Sequence, residues 1–175
     1  MTSSLRLRRV PSPGEHLDGI CQAFVNVAES SYASFVQACD ATMLRDALAL
    51  LGDEDRWLHA AVDFRGAFGG TFQMALPESL ARELVATCIG LDPQEQVEDA
   101  HVLDLAGEMA NMVCGDWLTR ACHRRRFDLR PPLVVPLPPG WNPERWGLPG
   151  APDGAVMCVN DVPVCLRLSF VEQPV

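Results

Sequence analysis

The sequence predicts an α+β domain in which a central, largely antiparallel sheet is flanked by long helices. Apolar residues recur at helical spacing in two long segments, one near the start of the chain and one in its middle. Pairs of short runs rich in β-branched and aromatic residues are separated by glycines or by Asn160-Asp161, which is typical of antiparallel hairpins. Helices combined with antiparallel hairpins favour this class.

The first half of the chain is predicted to contain helix, helix, hairpin and helix. Ile20, Phe24, Val27 and Tyr32 indicate an amphipathic helix over residues 16–37, and a shorter helix is predicted over residues 43–51. Glycines set the turn of a hairpin at residues 66–70, between strands predicted at 57–64 and 71–76. Pro77 and Gly90 are typical of the two ends of the helix that follows.

The second half repeats this order in part. The spacing predicts one long helix over residues 97–123, with acidic residues near its start and basic residues near its end. An extended segment follows to about residue 135, then a proline-rich loop over 136–152 that carries two tryptophans. Two strands, 155–159 and 164–170, complete the chain. The order of elements suggests two related halves.

Length and composition limit the classes of function. The chain has 175 residues, 48% of them hydrophobic, which suits one domain, predicted over residues 15–175, after a disordered tail over residues 1–14. A formal net charge of −9 argues against nucleic acid as a partner, and no apolar run of about 20 residues indicates a membrane span. Seven cysteines without C-x-x-C spacing favour buried thiols in a cytoplasmic protein.

The long helix carries the most informative pattern. At roughly 100° per residue, Asp104, Glu108, Asn111 and Gly115 fall within an arc of about 60° on one face. Apolar residues occupy the opposite face: Val102, Leu105, Met109 and Val113. The polar stripe places a carboxamide beside a carboxylate, next to a glycine that lets another surface come close. On spacing alone, an ordinary solvated helix face remains the alternative.

This stripe resembles the active-site signature of the CheC/CheX/FliY phosphatases, most closely the CheX-like branch. Asp104, three residues, Glu108, two residues and Asn111 match its order, and Met112-Val-Cys-Gly115 follows as in that family. The glycine-containing hairpin at residues 64–77 is also similar. The resemblance implies a CheC-like layered domain with pseudo-twofold halves that hydrolyses the aspartyl phosphate of a CheY-type response regulator. It also implies a homodimer, for which an exposed edge of the C-terminal strands is the predicted contact.

The resemblance also implies a role for each residue. Asn111 would orient the attacking water and Glu108 would engage the regulator's lysine, while Mg²⁺ would come from the regulator and no metal from this chain. Asp104 and Gly115 would belong to the docking surface, and Gly107 and Met112 are partner-contact or packing positions. Half one has Glu29 and Tyr32 but Val25 in place of the leading polar residue, so a single site is predicted.

Several alternatives stay open. The same fold could serve as a non-catalytic adaptor that docks a regulator without hydrolysing it. His101, Asp104 and Glu108 share a helix face and could bind a divalent ion. Cys114 and the pair Cys122-His123 are candidate nucleophiles without an identifiable base. Two further features have a binding and a structural interpretation: the basic cluster of Arg120, His123 and Arg124 to Arg126, and the loop residues Trp141 and Trp146.

Overall fold

The computed structural model describes residues 12–52, 55–91, 96–121 and 125–171. Four α-helices and seven β-strands lie in these ranges, together with a 3₁₀ helix at Pro143–Trp146. The elements are, in order, α1 (Pro13–Tyr32), β1 (Val36–Ala38), α2 (Ala41–Leu51), β2 (Trp57–Gly66), β3 (Gly69–Pro77), α3 (Glu78–Ile89), α4 (Asp99–Ala121), β4 (Phe127–Leu129), β5 (Leu133–Pro136), β6 (Gly154–Val159) and β7 (Val162–Val171).

The described strands form one antiparallel sheet, which confirms the predicted class. Its order is β1-β6-β7-β3-β2, and β4 and β5 both pair with the far side of β2. If β3 is exchanged with β7, β2 with β6, and β1 with the β4–β5 pair, the same strand order is obtained, now read from the opposite edge of the sheet. The central ladder joins β3 to β7, with Phe72 opposite Leu168. The predicted pseudo-twofold arrangement is therefore present in the sheet topology.

The sheet separates two apolar clusters because successive residues of a strand point to opposite faces. On one face, alternate residues of the central strands pack against α1, α3 and α4 and form the larger core. On the other face, Trp57, Cys165 and their neighbours pack against α2 and the proline-rich loop. The two long helices therefore share one layer, and that layer carries the polar stripe of α4.

The N-terminal region differs from the prediction at both ends of its helix. Residues 1–11 of the predicted tail lie outside the described residues, but Pro13 and Gly14 already belong to α1. The helix ends at Tyr32 rather than near residue 37, because Ala33 has a φ of 49° and Ser34 bonds back to the carbonyl of Ala28. The chain then becomes extended and forms β1, a short strand that begins within the range predicted as helix.

The remaining elements agree with the sequence prediction to within a few residues. Asp40 caps α2 by accepting hydrogen bonds from two backbone amides, and Gly90 ends α3 in the left-handed conformation. Asn160 and Asp161 both have positive φ, which is the two-residue turn that suits the β6–β7 hairpin. The predicted end of the long helix at residue 123 lies outside the described residues.

The two loop tryptophans pack against the sheet. Trp141 is buried, with its ring centroid 4.8 Å from that of Trp57 and 5.4 Å from that of Trp146. Trp146 in turn lies edge-on to His59, at 5.7 Å. These contacts favour the structural interpretation of the tryptophans over partner anchoring. They also explain how a loop with so many prolines is held over the second cluster.

The C-terminal strands do not leave an exposed edge, which corrects the predicted route to a homodimer. β7 lies between β3 and β6, and β6 lies between β7 and β1. The free edges among the described strands are β1 on one side and β4 with β5 on the other. Any association through strand pairing would use these edges.

Two half-buried histidines link stability to pH. His16 lies among aromatic rings, with centroid distances of 5.5 Å to both Trp117 and Phe170, and burial lowers its pKa although Glu15 opposes this. Burial also lowers the pKa of His59, against a hydrogen bond to Gln73 at 3.2 Å that raises it. Protonation of either ring therefore favours the unfolded chain.

We expect the free energy of unfolding to fall as the pH drops below about 6.5, the pKa of a histidine in an unfolded chain. Both histidine pKa values are lowered in the folded state. Above about pH 6.5 both rings are neutral in the folded and the unfolded chain, and stability is at its full value. Below that pH the unfolded chain binds protons more readily, so stability is lost. Urea unfolding between about pH 7.5 and pH 5 measures this pH dependence of the free energy of unfolding. The range is suitable because carboxylates stay largely ionised there, so that histidines dominate the change. The His16→Gln, His59→Gln double variant should have a flatter dependence; a slope equal to that of wild type would contradict the assignment.

Candidate functional site

The candidate site lies on α4, whose start is anchored by a network of charges. Arg82 on α3 donates to the carbonyl of Val97 at 2.8 Å and to the carboxylates of Glu78 and Asp99. Glu78 is nearly buried and also lies 2.7 Å from a guanidinium nitrogen of Arg56. Arg82 lowers the pKa of Asp99, which remains ionised at the positive end of the helix. These contacts fix α4 relative to α3.

The helix presents the predicted faces. Val102, Leu105, Met109 and Val113 are all buried in the larger core. Asp104, Glu108 and Asn111 are exposed and Gly115 is partly exposed, so the structure brings the four stripe residues together on the surface. None of the three polar side chains makes a hydrogen bond or ion pair with another described residue. Their polar atoms are therefore available to water or to a partner.

The two motif glycines have different surroundings. A Cβ at Gly107 would lie 3.1 Å from Cγ of Pro132 and 3.2 Å from Cγ2 of Val134, so this glycine lets α4 lie close to β5. Gly107 is buried, which favours the packing role over a partner contact for this residue. A Cβ at Gly115 would meet nothing within 4 Å, so no contact within the described chain requires a glycine there.

Met112 lies at the border of the stripe. It is half-buried and packs against the larger core. Packing therefore accounts for its apolar character, while its exposed part leaves a partner contact as a prediction.

Helix α1 runs antiparallel to α4 and contributes the neighbour that sequence reasoning missed. Gly19 faces Trp117, and Asn26 donates to Asp116 at 3.4 Å. Burial, followed by the charge of Glu108, raises the pKa of the Tyr32 phenol to about 12. The only signal in the sequence was that Tyr32 takes the place of the asparagine in the first half's incomplete motif.

The competing chemistries find little support in the described residues. They contain no group of three or more histidine, cysteine and acidic side chains placed to hold a metal ion, so the set of His101, Asp104 and Glu108 is not such a group. Burial raises the pKa of Cys114 to about 12, which keeps its thiol protonated. Cys122 and His123 lie outside the described residues. No described helix has the length and apolar character needed to span a membrane.

The basic cluster is only partly within the described residues. Arg120 forms an ion pair with Asp116, one turn earlier on α4, at 2.9 Å. Arg125 and Arg126 are exposed, while His123 and Arg124 lie outside the described ranges. The pairing of Arg120 agrees with the helix-end interpretation of that residue.

Chemically, the stripe offers a donor and an acceptor on Asn111 and an anionic acceptor on Glu108, one turn apart. A carboxamide can hold a water molecule while donating to an anionic oxygen, and a carboxylate can pair with an ammonium group. The site lacks a nucleophile and a metal-binding set among the described residues. Its groups are suited to positioning a reaction at a partner's surface.

Comparison with known proteins places this geometry in context. Residues 58–137, which run from β2 through α4 to the segment after β5, match the family model described as chemotaxis phosphatase CheX. A search of curated proteins finds no match.

Solved structures share the fold over nearly the whole chain. Chemotaxis protein CheX from Vibrio vulnificus has 17% identity and a TM-score of 0.64, covering 92% of this chain and 99% of that chain. CheX from Desulfovibrio desulfuricans has 13% identity and a TM-score of 0.60, with 90% and 99% covered. A CheC-like superfamily protein from Shewanella sp. PV-4 has 14% identity and a TM-score of 0.56, with 93% and 99% covered. The resemblance to CheC/CheX proteins predicted from the sequence is confirmed.

Proposed function

We propose that this chain, which has the CheC/CheX fold and a match to the CheX family model, is a phosphatase that hydrolyses the aspartyl phosphate of a CheY-type response regulator. One observation carries the proposal most directly: Glu108 and Asn111 are exposed one turn apart and unpaired with any described residue, on a helix whose other face is fixed in the core. An ordinary solvated helix face does not require a carboxylate and a carboxamide one turn apart, next to a glycine with open space around it.

The proposed mechanism relies on positioning. Asn111 accepts a hydrogen bond from water and donates to an oxygen at the phosphorylated aspartate, which places the water in line with the phosphorus. Glu108 pairs with the lysine beside that aspartate and holds the two proteins in register. The Mg²⁺ that neutralises charge on the phosphoryl group belongs to the regulator. Asp104 and Gly115 border the docking surface, and the chain acts in the cytoplasm as a homodimer.

A binding module without catalysis is the second candidate. The open surface beside Gly115 would serve docking equally well, since a Cβ there meets nothing within 4 Å. The two functions differ in what happens to the phosphoryl group after docking.

The deciding experiment measures dephosphorylation of a panel of the host's CheY-type regulators, each phosphorylated with acetyl phosphate. Wild-type protein and Asn111→Ala are compared side by side. Acceleration of one regulator by wild type alone would support the phosphatase and identify its partner. Binding of a phosphorylated regulator without acceleration would support the adaptor, and neither binding nor acceleration would refute both.

Glu108→Ala is expected to weaken recognition and rate together, with kcat/KM lower by roughly 10- to 100-fold and KM raised, because an interfacial ion pair is lost. Glu29→Ala is a matched control, since it removes an exposed carboxylate from the neighbouring helix α1 and changes the net charge equally. Steady-state kinetics at two salt concentrations separate pairing from general attraction. Equal effects of the two variants would contradict a specific role for Glu108.

A further inference from the structure

The polar stripe of α4 is too small to hold a partner by itself. Its exposed side chains, Asp104, Glu108 and Asn111, lie within about two turns of the helix. A stable protein–protein contact covers about 800 Å² on each partner. A partner that reaches Asn111 must therefore also cover a neighbouring surface, on the side of α1 or on the side of β5.

The polar groups on the α1 side of the stripe are already bonded to one another. Asp116 accepts a hydrogen bond from Asn26 of α1 at 3.4 Å and pairs with Arg120 at 2.9 Å. Gln22 in turn donates to Asn26 at 3.1 Å. A partner gains little from groups that are already paired, and covering them carries a desolvation cost. The α1 side is therefore the less favourable extension of the contact.

The β5 side of the stripe is apolar instead. Leu103 on α4 is 38% exposed. Four residues of β5 and the segment that leads into it accompany Leu103, two of them exposed and two half-buried: Pro131, Pro132, Val134 and Pro136. We call these five residues the α4–β5 border. The centres of protein interfaces are rich in apolar area and depleted in charge, which is the composition of this border.

Gly107 brings the border close to the stripe. A Cβ at this position would lie 3.1 Å from Cγ of Pro132, so a side chain at residue 107 would push β5 away. Asn111 follows Gly107 by one turn on the same side of α4, with about 6 Å between such Cβ positions. Cγ of Pro132 therefore lies within about 9 Å of the Cβ of Asn111.

The direction of α4 orders the border along the stripe. At its start, Asp99 binds Arg82 of α3, and α3 follows the end of β3 that pairs with the first residue of β2. Near its end, Trp117 contacts Phe64 at the far end of β2, with ring centroids 5.4 Å apart. Helix α4 thus follows the direction of β2 and runs antiparallel to β5, which pairs antiparallel with β2.

This direction places the two ends of the border at different heights. Residues before Val134 lie towards the C-terminal end of α4, so Pro131 and Pro132 are level with Asn111. Leu103 is one turn on the other side of Gly107, level with the second half of β5. The border therefore flanks the stripe along its length.

We propose that the regulator docks across the α4–β5 border, with Leu103 and the Pro131-Pro132 pair forming the apolar contact while Glu108 and Asn111 reach the regulator's lysine and phosphorylated aspartate. The inference rests on the proposed function for the identity of the partner. It adds the side of the stripe from which the partner binds and the residues that hold it there.

The chemistry of the border defines the partner surface that fits it. Asp104 and Glu108 are exposed carboxylates without a hydrogen bond or ion pair to another described residue, and they lie along the apolar contact. The matching surface carries apolar side chains beside a cationic group, as the lysine that Glu108 engages would be. Because prolines and a strand paired with β2 have little freedom to lose, the border is preorganised for binding.

Leu103→Ala tests the apolar contact. The variant should bind the regulator roughly 5- to 20-fold more weakly, as truncation of an interface anchor does. Calorimetry measures this affinity with a regulator charged with beryllofluoride, a stand-in for the phosphoryl group that is not hydrolysed. Leu50→Ala is the matched control, since Leu50 is 86% exposed on α2, at the other face of the sheet, and its affinity should equal that of wild type. Equal affinity of Leu103→Ala and wild type would overturn the proposal.

Pro131→Ala tests the other end of the border without removing a buried group. Pro131 is exposed, and the variant should bind the regulator about 2- to 5-fold more weakly. For both border variants the melting temperature should stay close to that of wild type, which excludes loss of folding as the cause. At saturating phosphorylated regulator, kcat should be unchanged while KM rises, because the border docks and does not react. A lower kcat with unchanged affinity would contradict a docking role.

Failure of the two proposals can be told apart. A regulator that loses affinity for Leu103→Ala but is not dephosphorylated faster by wild type would refute the phosphatase and support the docking surface. Faster dephosphorylation by wild type, with both border variants unaffected, would overturn the docking surface alone. Sedimentation velocity covers the remaining occupant: a changed oligomeric state of Leu103→Ala with unchanged regulator affinity would assign the border to a second copy of the chain and overturn the proposal.

Discussion

Replacing Asn111 by alanine is expected to reduce the acceleration of regulator dephosphorylation by roughly 100-fold or more while leaving binding of the phosphorylated regulator nearly unchanged. Removal of one preorganised hydrogen-bonding group from an active site commonly costs a factor of this size. The carboxamide is the one stripe group that can both accept from water and donate to an anion. Docking should survive because Glu108 and the open surface at Gly115 remain.

The structure gives no reason to expect that Asn111→Ala impairs folding. Asn111 is exposed and has no hydrogen bond or ion pair to another described residue. Alanine is also the better helix former, so thermal stability should stay equal or rise slightly. A loss of rate without a loss of stability therefore reports on chemistry.

Two further variants make the test of Asn111 specific. Asp104→Ala changes another exposed polar residue of the same stripe and should retain kcat, since Asp104 is assigned to the docking surface. Asn111→Asp keeps the shape but can no longer donate, and its added charge repels the phosphoryl group, so it should fail as Asn111→Ala does. Single-turnover rates and regulator affinity are measured for each variant. Unchanged turnover in Asn111→Ala would refute the water-positioning role.

The faces of α4 could be predicted because helix periodicity is a local property. Asp104, Glu108 and Asn111 fall on one side whatever the rest of the chain does, and the apolar residues between them require the other side to be buried. The β6–β7 turn was predictable for the same reason, since Asn160 and Asp161, the two residues with positive φ, lie within the turn. In each case the determining residues are neighbours in sequence.

The features that the sequence did not predict depend on contacts between distant segments. The end of α1 at Tyr32 is set by the left-handed conformation of Ala33 and by pairing of β1 with β6. The burial of Gly107 depends on the position of β5, a strand that follows the end of α4 in the sequence and packs back against the helix. The free edges of the sheet follow from strand order alone. No short window of sequence contains this information.

The same substitution at two glycines should have opposite effects on stability. A Cβ at Gly70, on the central strand β3, would lie 2.2 Å from the backbone oxygen of Ser169 and 2.6 Å from Cζ of Phe64. The backbone oxygen of Ser169 cannot move aside as a flexible side chain could, so β3 and β7 must separate locally to make room for the new methyl group. Gly70→Ala should lower the melting temperature by roughly 5 °C or more, as overpacking of a core does in a chain of this size.

Gly115→Ala should instead raise the melting temperature by about 1–4 °C. The position lies inside α4 with open space around a new Cβ, and alanine is more favourable than glycine there by about 0.5–1 kcal/mol. Thermal unfolding followed by circular dichroism compares both variants with wild type. Destabilisation by Gly115→Ala would contradict the open surface, and a neutral Gly70→Ala would contradict the tight β3–β7 contact.

Gly115→Ala also separates stability from docking. If the glycine lets the regulator come close to α4, a methyl group should weaken regulator binding in the variant that is more stable than wild type. A gain in stability together with a loss of affinity cannot arise from partial unfolding, so that result would assign the open surface to the partner. Unchanged affinity would show that the regulator does not contact α4 at this position and would move the docking surface towards Asp104 and the N-terminal end of the stripe.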